Sequence, residues 1–108
     1  MGYLLSKGWR VLEHRYRAGR WEVDLVVRKG PVVAFVEVKT RRSRAFGSPF
    51  EAVGWRKRRE IVRVARSWID RHGGPGDLYR FDVIGVVPDR SGGWRIEHIE
   101  DAFRPGWR

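Results

Sequence analysis

The sequence contains no cysteine and no long hydrophobic run, and each absence excludes a class of protein. Without cysteine, neither a disulfide framework nor a thiolate zinc site can form, and the three histidines do not have the spacing of metal ligands. No run of about 18 apolar residues occurs and no signal-peptide-like leader opens the chain. We therefore expect no membrane span, no signal peptide and a cytoplasmic location.

Acidic residues are few compared with basic ones. There are 13 Asp and Glu against 23 Lys and Arg, giving a formal net charge of +10. Between positions 41 and 66, nine basic residues stand against two glutamates, a local charge of +7. Such a distribution favours a polyanionic partner such as DNA or RNA. The alternative interpretation is a solvated helix face in an arginine-rich protein.

The length and the alternation of turn residues with apolar runs predict one mixed α/β domain over residues 1–108, of which 42% are hydrophobic. The expected order is a helix remnant ending at Gly8, three strands, a long helix and two strands. The strands are expected at 9–17, 21–28, 32–40, 79–87 and 94–99. Ser48, Pro49 and Glu51 have the pattern of a helix start, and Gly54 is expected to interrupt that helix.

Charged residues occur within the two most apolar strands. Because side chains two positions apart share a face of a strand, Glu22 and Asp24 are expected to point together, with Val23 and Leu25 facing away. Glu37 and Lys39 likewise share a face. Since burying unpaired charge costs several kcal/mol, these groups should be paired, bound to metal or exposed at a strand end.

Two interpretations of these charges remain open. The structural one is an ion pair of Lys39 with Glu37 or Asp24. In the functional one, the carboxylates of Asp24 and Glu37 and the carbonyl of Val38 bind Mg²⁺, which takes few protein carboxylates and keeps several waters. Lys39 then holds the attacking water and offsets charge on a phosphate.

The segments Trp21-Glu22-Val23-Asp24-Leu25 and Phe35-Val36-Glu37-Val38-Lys39 resemble the signature of the PD-(D/E)xK nuclease superfamily. Further segments resemble the bacterial YraN family over nearly the whole chain: 8–12, 46–49, 52–53, Lys57, 80–83, 96–99 and 102–103. That family is itself described by similarity to archaeal Holliday junction resolvases. The resemblance implies a restriction-endonuclease-like fold, in which helices flank a central mixed five-stranded sheet.

The resemblance also implies a site. It assigns Asp24, Glu37 and Lys39 to catalysis with Mg²⁺ or Mn²⁺, and Glu22 to an accessory role, although Trp21 replaces the family's glycine. In the resolvases an acid from the first helix joins the metal site, whereas here that helix retains only Tyr3, Leu4 and Leu5. Three alternatives follow: translation starts upstream of Met1, Glu22 substitutes for the missing acid, or the site binds metal weakly and does not cut.

Arginines and tryptophans outside this site suggest how nucleic acid is bound. A basic loop after Lys39 and the exposed half of the helix are expected to contact the phosphodiester backbone without strong base specificity. These residues are Arg41, Arg42, Arg44, Arg56, Lys57, Arg58, Arg59, Arg63 and Arg66. Trp55 is a candidate for base stacking, whereas Trp9, Trp68 and Trp94 are expected in the core. Asp82 and His98 are expected to be structural, with Asp82 paired to an arginine.

The first hypothesis is therefore a metal-dependent phosphodiesterase acting on DNA rather than RNA, including branched DNA. The alternative is a non-catalytic nucleic-acid-binding module of the same fold. A third hypothesis is a protein-interaction domain whose arginines meet an acidic partner. Analogy with the resolvases adds the expectation of a homodimer.

Overall fold

The computed structural model describes residues 2–40 and 53–105, and within them the predicted order of elements is confirmed. The elements are α1 (Gly2–Ser6), β1 (Arg10–Ala18), β2 (Trp21–Lys29), β3 (Val32–Thr40), α2 (Trp55–His72), β4 (Leu78–Pro88) and β5 (Trp94–Phe103). The predicted helix start at Ser48, Pro49 and Glu51 lies outside the described residues. Among those that are described, no helix is long and apolar enough to cross a membrane.

The five strands form one mixed sheet in the order β1-β2-β3-β4-β5. Three neighbouring pairs are antiparallel, and only β3 and β4 run parallel. The antiparallel pairs β1/β2 and β2/β3 are joined by two-residue turns, in which Gly19 and Gly30 have positive φ angles of 62° and 59°. Parallel strands need a long crossover, and α2 lies within the one between β3 and β4.

Helix α2 begins directly after Gly54, at the predicted interruption, and ends at His72, with Gly73 as its C-cap. Ile61, Val64, Ala65 and Trp68 recur at three- and four-residue steps and are buried, as one core-facing stripe requires. This stripe packs against side chains of β2, β3 and β4, including Phe35. Arginines make up most of the outer, exposed face of α2.

A second core cluster lies on the opposite face of the sheet. Leu4 of α1 and Trp9 are buried there against alternate residues of the central strands, such as Ala34 and Val36. Phe35, between these two in sequence, belongs to the cluster beneath α2. The sheet is thus covered by helices on both faces, which is the architecture of the restriction-endonuclease-like fold.

Two predictions about the last strand are wrong. β5 does not stop at Ile99 but continues to Phe103, because Asp101 adopts a positive φ of 51° and the chain then returns Phe103 to stack on Phe81. Trp94 is not in the core: its side chain is 59% exposed, because it pairs with Pro88 at the far end of an edge strand. Trp9 and Trp68 are buried as predicted.

Candidate metal and phosphate site

The candidate site lies where β2 separates from β3. The antiparallel pairing of these strands runs as far as Leu25 opposite Val36 and then stops. At Asp24, the next residue of β2, a side-chain hydrogen bond takes the place of the backbone pairing. Its Oδ2 accepts a hydrogen bond of 2.7 Å from the backbone N–H of Val38. The Asp24 carboxylate is therefore fixed against the backbone of β3.

The alternation of side chains in β2 changes phase at the same point. Val23 belongs to the core cluster beneath α2, whereas Leu25 belongs to the opposite cluster, so the prediction that these two face the same way is wrong. The pairing of β1 with β2 sets His14 opposite Leu25 and Tyr16 opposite Val23, and Arg15 between them has a φ of 55°. A left-handed residue in β1 beside the end of the β2/β3 ladder breaks the strict two-residue period.

The backbone of Val38 presents a second oxygen to this gap. The N–H and C=O of one strand residue point to the same side of the strand. Because the Val38 N–H points towards Asp24, the Val38 carbonyl also points to the side where β2 no longer pairs. The role of Val38 as a backbone ligand stays a prediction, which this orientation permits.

Glu37 is the buried carboxylate of the site. It is only 3% exposed and lies on the same strand as Phe35, on the face covered by α2. Its Oε2 is 3.3 Å from Lys57 Nζ and 3.7 Å from Lys39 Nζ. Its Oε1 is buried and has no hydrogen-bond partner among the described residues. One oxygen of Glu37 is thus held by two ammonium groups and the other is left unsatisfied.

The environment of Glu37 opposes ionisation. Burial raises the pKa of Glu37 above its usual 4.5, and the negative charge of Asp24 raises it further. Lys57 and Lys39 act in the opposite direction without cancelling the shift. An added positive charge between the two carboxylates would remove both unfavourable contributions, because it would attract both charges and give the buried oxygen a partner.

Lys57 was grouped by sequence with the phosphate-contacting residues, but its ammonium lies on Glu37 and also donates to the carbonyl of Glu22, at 3.4 Å. The sequence pattern that could have revealed the inward position of Lys57 is its helical spacing. Lys57, Ile61 and Ala65 are separated by four residues each, so Lys57 begins the buried stripe of α2. Its side chain therefore turns towards the sheet.

The other predicted site residues lie in several different environments. The Glu22 carboxylate accepts a hydrogen bond of 2.9 Å from Arg17, so its partner is a basic side chain of β1. Arg56, Arg59 and Arg63 are exposed on α2, while Arg58 is half-buried and donates to the carbonyl of Val53 at 2.9 Å. The predicted phosphate contacts Arg41, Arg42 and Arg44 lie outside the described residues.

The residues present fit a small, hard cation with few protein ligands. Within residues 2–40 and 53–105, no group of three His, Cys, Asp or Glu side chains is placed to hold a metal ion. Two carboxylates and one carbonyl remain, from Asp24, Glu37 and Val38. Mg²⁺ and Mn²⁺ accept such oxygen sets and complete their coordination with water.

A second buried carboxylate, Asp82, lies on the opposite face of the sheet and is fully hydrogen-bonded. Arg80 donates to both of its oxygens at 2.9 and 2.8 Å, and the Asp101 N–H donates to Oδ1 at 3.0 Å. His98 Nε2 is 2.8 Å from Oδ2, and the Tyr3 hydroxyl is 3.2 Å from His98 Nδ1. The predicted pairing of Asp82 with an arginine is confirmed, and His98 is hydrogen-bonded as predicted.

This hydrogen bonding decides how Asp82 titrates. Burial raises the pKa of Asp82, but the hydrogen bonds from His98, Arg80 and the backbone of Asp101 outweigh it. The pKa of Asp82 therefore lies below its usual 3.8, and the group is a structural anion.

Comparison with known proteins agrees with the family that the sequence resembles. The profile of the family described as "Uncharacterised protein family UPF0102", which is the YraN family, matches residues 1–86. A UPF0102 protein of Alkaliphilus metalliredigens is 44% identical over 94% of this chain and 87% of its own length. One from Anaeromyxobacter dehalogenans is 44% identical over 96% and 80%, and one from Symbiobacterium thermophilum is 40% identical over 94% and 86%. The chain belongs to the UPF0102 family.

Proposed function

We propose that this protein is a metal-dependent phosphodiesterase that hydrolyses nucleic acid, with DNA as its substrate, including branched DNA. The observation that carries the proposal is the buried Glu37 carboxylate, whose Oε1 has no hydrogen-bond partner among the described residues. Leaving a buried polar atom unsatisfied costs about 1–3 kcal/mol, so such an atom in a native protein calls for a ligand.

Each residue of the site has a distinct task in this proposal. Asp24 and Glu37 would hold Mg²⁺ or Mn²⁺, with the Val38 carbonyl as a third ligand. The bound cation would lower the pKa of a water molecule and offset the charge that develops on the phosphate. Lys39, whose side chain is one-third exposed, would orient the attacking water and contact the phosphate. Lys57 would position Glu37 by holding Oε2, which leaves Oε1 for the cation.

Cleavage of linear and four-way-junction DNA in Mg²⁺ or Mn²⁺ tests the proposal. We expect Asp24→Asn, Glu37→Gln and Lys39→Ala each to reduce the rate by at least about 100-fold, as loss of a charge-stabilising group does. Matched controls are Asp70→Asn and Lys29→Ala, which change exposed residues of the same type outside the site. Activity that survives the three site substitutions would refute the assigned site.

Cation binding provides a readout that does not depend on turnover. Calorimetric titration with Mn²⁺ should show one site in the wild-type protein, and this site should be lost in Glu37→Gln and retained in Asp70→Asn. Undiminished Mn²⁺ binding by Glu37→Gln would contradict the role of the unsatisfied oxygen. The same titration with Lys57→Ala should show weaker binding, because Glu37 would lose the group that orients it.

One observation favours a second candidate, a nucleic-acid-binding module without hydrolytic activity. Among the described residues the site has two acidic ligands rather than three, since Glu22 is engaged by Arg17 and α1 has no acid in its first turn. A wild-type protein that binds DNA with a steep salt dependence, but does not cleave it in either metal, would support this candidate and overturn the first.

A further inference from the structure

The outer surface of α2 is rich in exposed arginines, among them Arg56, Arg59, Arg63 and Arg66. Two hollows flank the helix, one towards the β1/β2 turn and one towards the end of β5, and Arg59 and Arg63 line both. We call this surface the arginine face; its described cations are Arg20, Arg56, Arg58, Arg59, Arg63, Arg66 and Arg104. Glu60 is the one carboxylate among the described residues that line the two hollows.

An exposed indole lies within the arginine face. Trp55, the first residue of α2, is 73% exposed and lines the hollow next to Phe103, and the Arg59 guanidinium is 5.7 Å from its ring centroid. Trp21 lines the other hollow, and the guanidinium groups of Arg20 and Arg63 are 5.2 and 4.8 Å from its ring centroid. Among the described residues, Trp55 therefore has one cation beside a largely exposed ring, whereas Trp21 has two cations beside a half-buried one.

From this arrangement we propose that the arginine face binds a single-stranded segment of nucleic acid, with one unpaired base stacked on Trp55. Arginines alone would serve a duplex, because a duplex presents phosphates and keeps its base faces covered by neighbouring bases. An indole gains binding energy only from a base that has left the stack. The combination of a basic hollow and an open ring therefore selects unpaired nucleotides.

The position of Trp55 connects this surface to the candidate site. Trp55 precedes Lys57 by two residues, which is about 3 Å along a helix axis, and Lys57 contacts Glu37. The two side chains point to different sides of the helix, so the arginine face and the candidate site share the N-terminal turn of α2 but not one surface. The inference rests on the proposed function, because it names the substrate of the same site as nucleic acid with unpaired bases.

Binding assays in which hydrolysis is absent test this inference. The full-length Glu37→Gln protein is used without divalent metal, and its affinity is measured by fluorescence anisotropy for single-stranded oligothymidine and for a blunt duplex of equal length. We expect the added substitution Trp55→Ala to weaken single-strand binding by about 5- to 150-fold, the range for losing one stacked base. Duplex affinity should change by less than about twofold, because the duplex makes no stacking contact.

Two control variants separate stacking from charge and from general damage. Trp94→Ala also removes a tryptophan side chain, which is 59% exposed and lies outside the arginine face. We therefore expect neither the single-strand affinity nor the duplex affinity to change. Arg59→Ala with Arg63→Ala should reduce the slope of log affinity against log salt by about 0.7 per lost contact for a single strand. Trp55→Ala should leave that slope unchanged, and Trp55→Phe should restore most of the affinity.

The outcomes also distinguish this inference from the proposed function. Equal weakening of single-strand and duplex binding by Trp55→Ala, or no weakening of either, would overturn the inference whether or not the protein cleaves DNA. Preferential binding of polyglutamate over oligothymidine would overturn it in favour of an acidic protein partner. Single-strand binding that depends on Trp55 would support it even if the wild-type protein cleaves no substrate, in which case only the hydrolytic proposal fails.

Discussion

The described part of the chain contains two buried carboxylates on opposite faces of one sheet, and their surroundings differ in opposite directions. Asp82, which is 1% exposed, has hydrogen bonds to both oxygens and a lowered pKa. Glu37, which is 3% exposed, has one oxygen without a partner among the described residues and a raised pKa. Similar burial thus gives a satisfied anion in one place and an unsatisfied one in the other.

The difference shows which carboxylate serves the fold. A buried anion stabilises a protein when donors compensate for its lost hydration, as Arg80, His98 and a backbone N–H do for Asp82. Among the described residues, Glu37 has the more distant ammonium groups of Lys39 and Lys57 and the neighbouring negative charge of Asp24. The unfavourable environment of Glu37 is expected of a functional site, where stability is given up for binding.

The largest predicted effect is a difference in stability between two isosteric substitutions. Asp82→Asn should lower the free energy of unfolding by about 3 kcal/mol, because it leaves the half-buried Arg80 guanidinium without its main partner. Glu37→Gln should change it by less than about 1 kcal/mol or increase it, since it removes a poorly compensated charge. Urea unfolding of both variants measures the difference. Equal destabilisation would show that Glu37 is as structural as Asp82.

Sequence patterns were sufficient to predict the strands that carry the site. Apolar runs rich in Val and Phe on either side of Gly30 predicted β2 and β3, and the charges inside those runs made Asp24, Glu37 and Lys39 candidates, which lie on these two strands. The strands were predictable because apolar runs and the turn residues that bound them are local properties of the chain.

Features that depend on contacts between elements were not predictable in this way. The phase change at Asp24 arises where β2 leaves β3, and a positive φ in the paired strand contributes to it. The contact of Lys57 with Glu37 depends on the docking of α2 against the sheet. The exposure of Trp94 depends on its place at the end of an edge strand, which hydrophobicity alone does not reveal.

A second prediction concerns pH, where the two carboxylates should act with opposite signs. With its pKa raised above 4.5, Glu37 is protonated in the folded state at pH values where the unfolded chain has lost that proton. Its contribution to stability is therefore present below 4.5 and lost as pH rises through the folded-state pKa. With its pKa below 3.8, Asp82 contributes stability above 3.8 that is lost as pH falls through its folded-state pKa.

Unfolding free energies measured across pH check these signs. As pH falls from neutral to 4.5, the free energy of unfolding of the wild type should rise relative to that of Glu37→Gln. As pH falls below 3.8, the free energy of unfolding of the wild type should fall relative to that of Asp82→Asn. Each slope is limited to about 1.4 kcal/mol per pH unit for one proton. If these two differences in unfolding free energy changed with pH in the same direction, the carboxylates would have similar environments.

The smallest predicted effect extends the comparison to two tyrosine hydroxyls. The Tyr3 hydroxyl is 3.2 Å from His98 in the Asp82 network, whereas the Tyr16 hydroxyl is buried beneath α2 without a partner among the described residues. Tyr3→Phe should cost about 1 kcal/mol, the net worth of one hydrogen bond. Tyr16→Phe should be neutral or stabilising, because it removes a polar atom that has no compensating bond.

The tyrosine pair also shows whether an unsatisfied atom beneath α2 is by itself a sign of function. Thermal unfolding measures the stability of both variants, and Mn²⁺ titration measures binding at the candidate site. We expect Tyr16→Phe to leave Mn²⁺ affinity unchanged, because its hydroxyl has no charge to attract a cation, whereas Glu37→Gln abolishes binding. A loss of Mn²⁺ affinity in Tyr16→Phe would extend the site to β1. A cost equal to that of Tyr3→Phe would mean that the Tyr16 hydroxyl has a partner in solution.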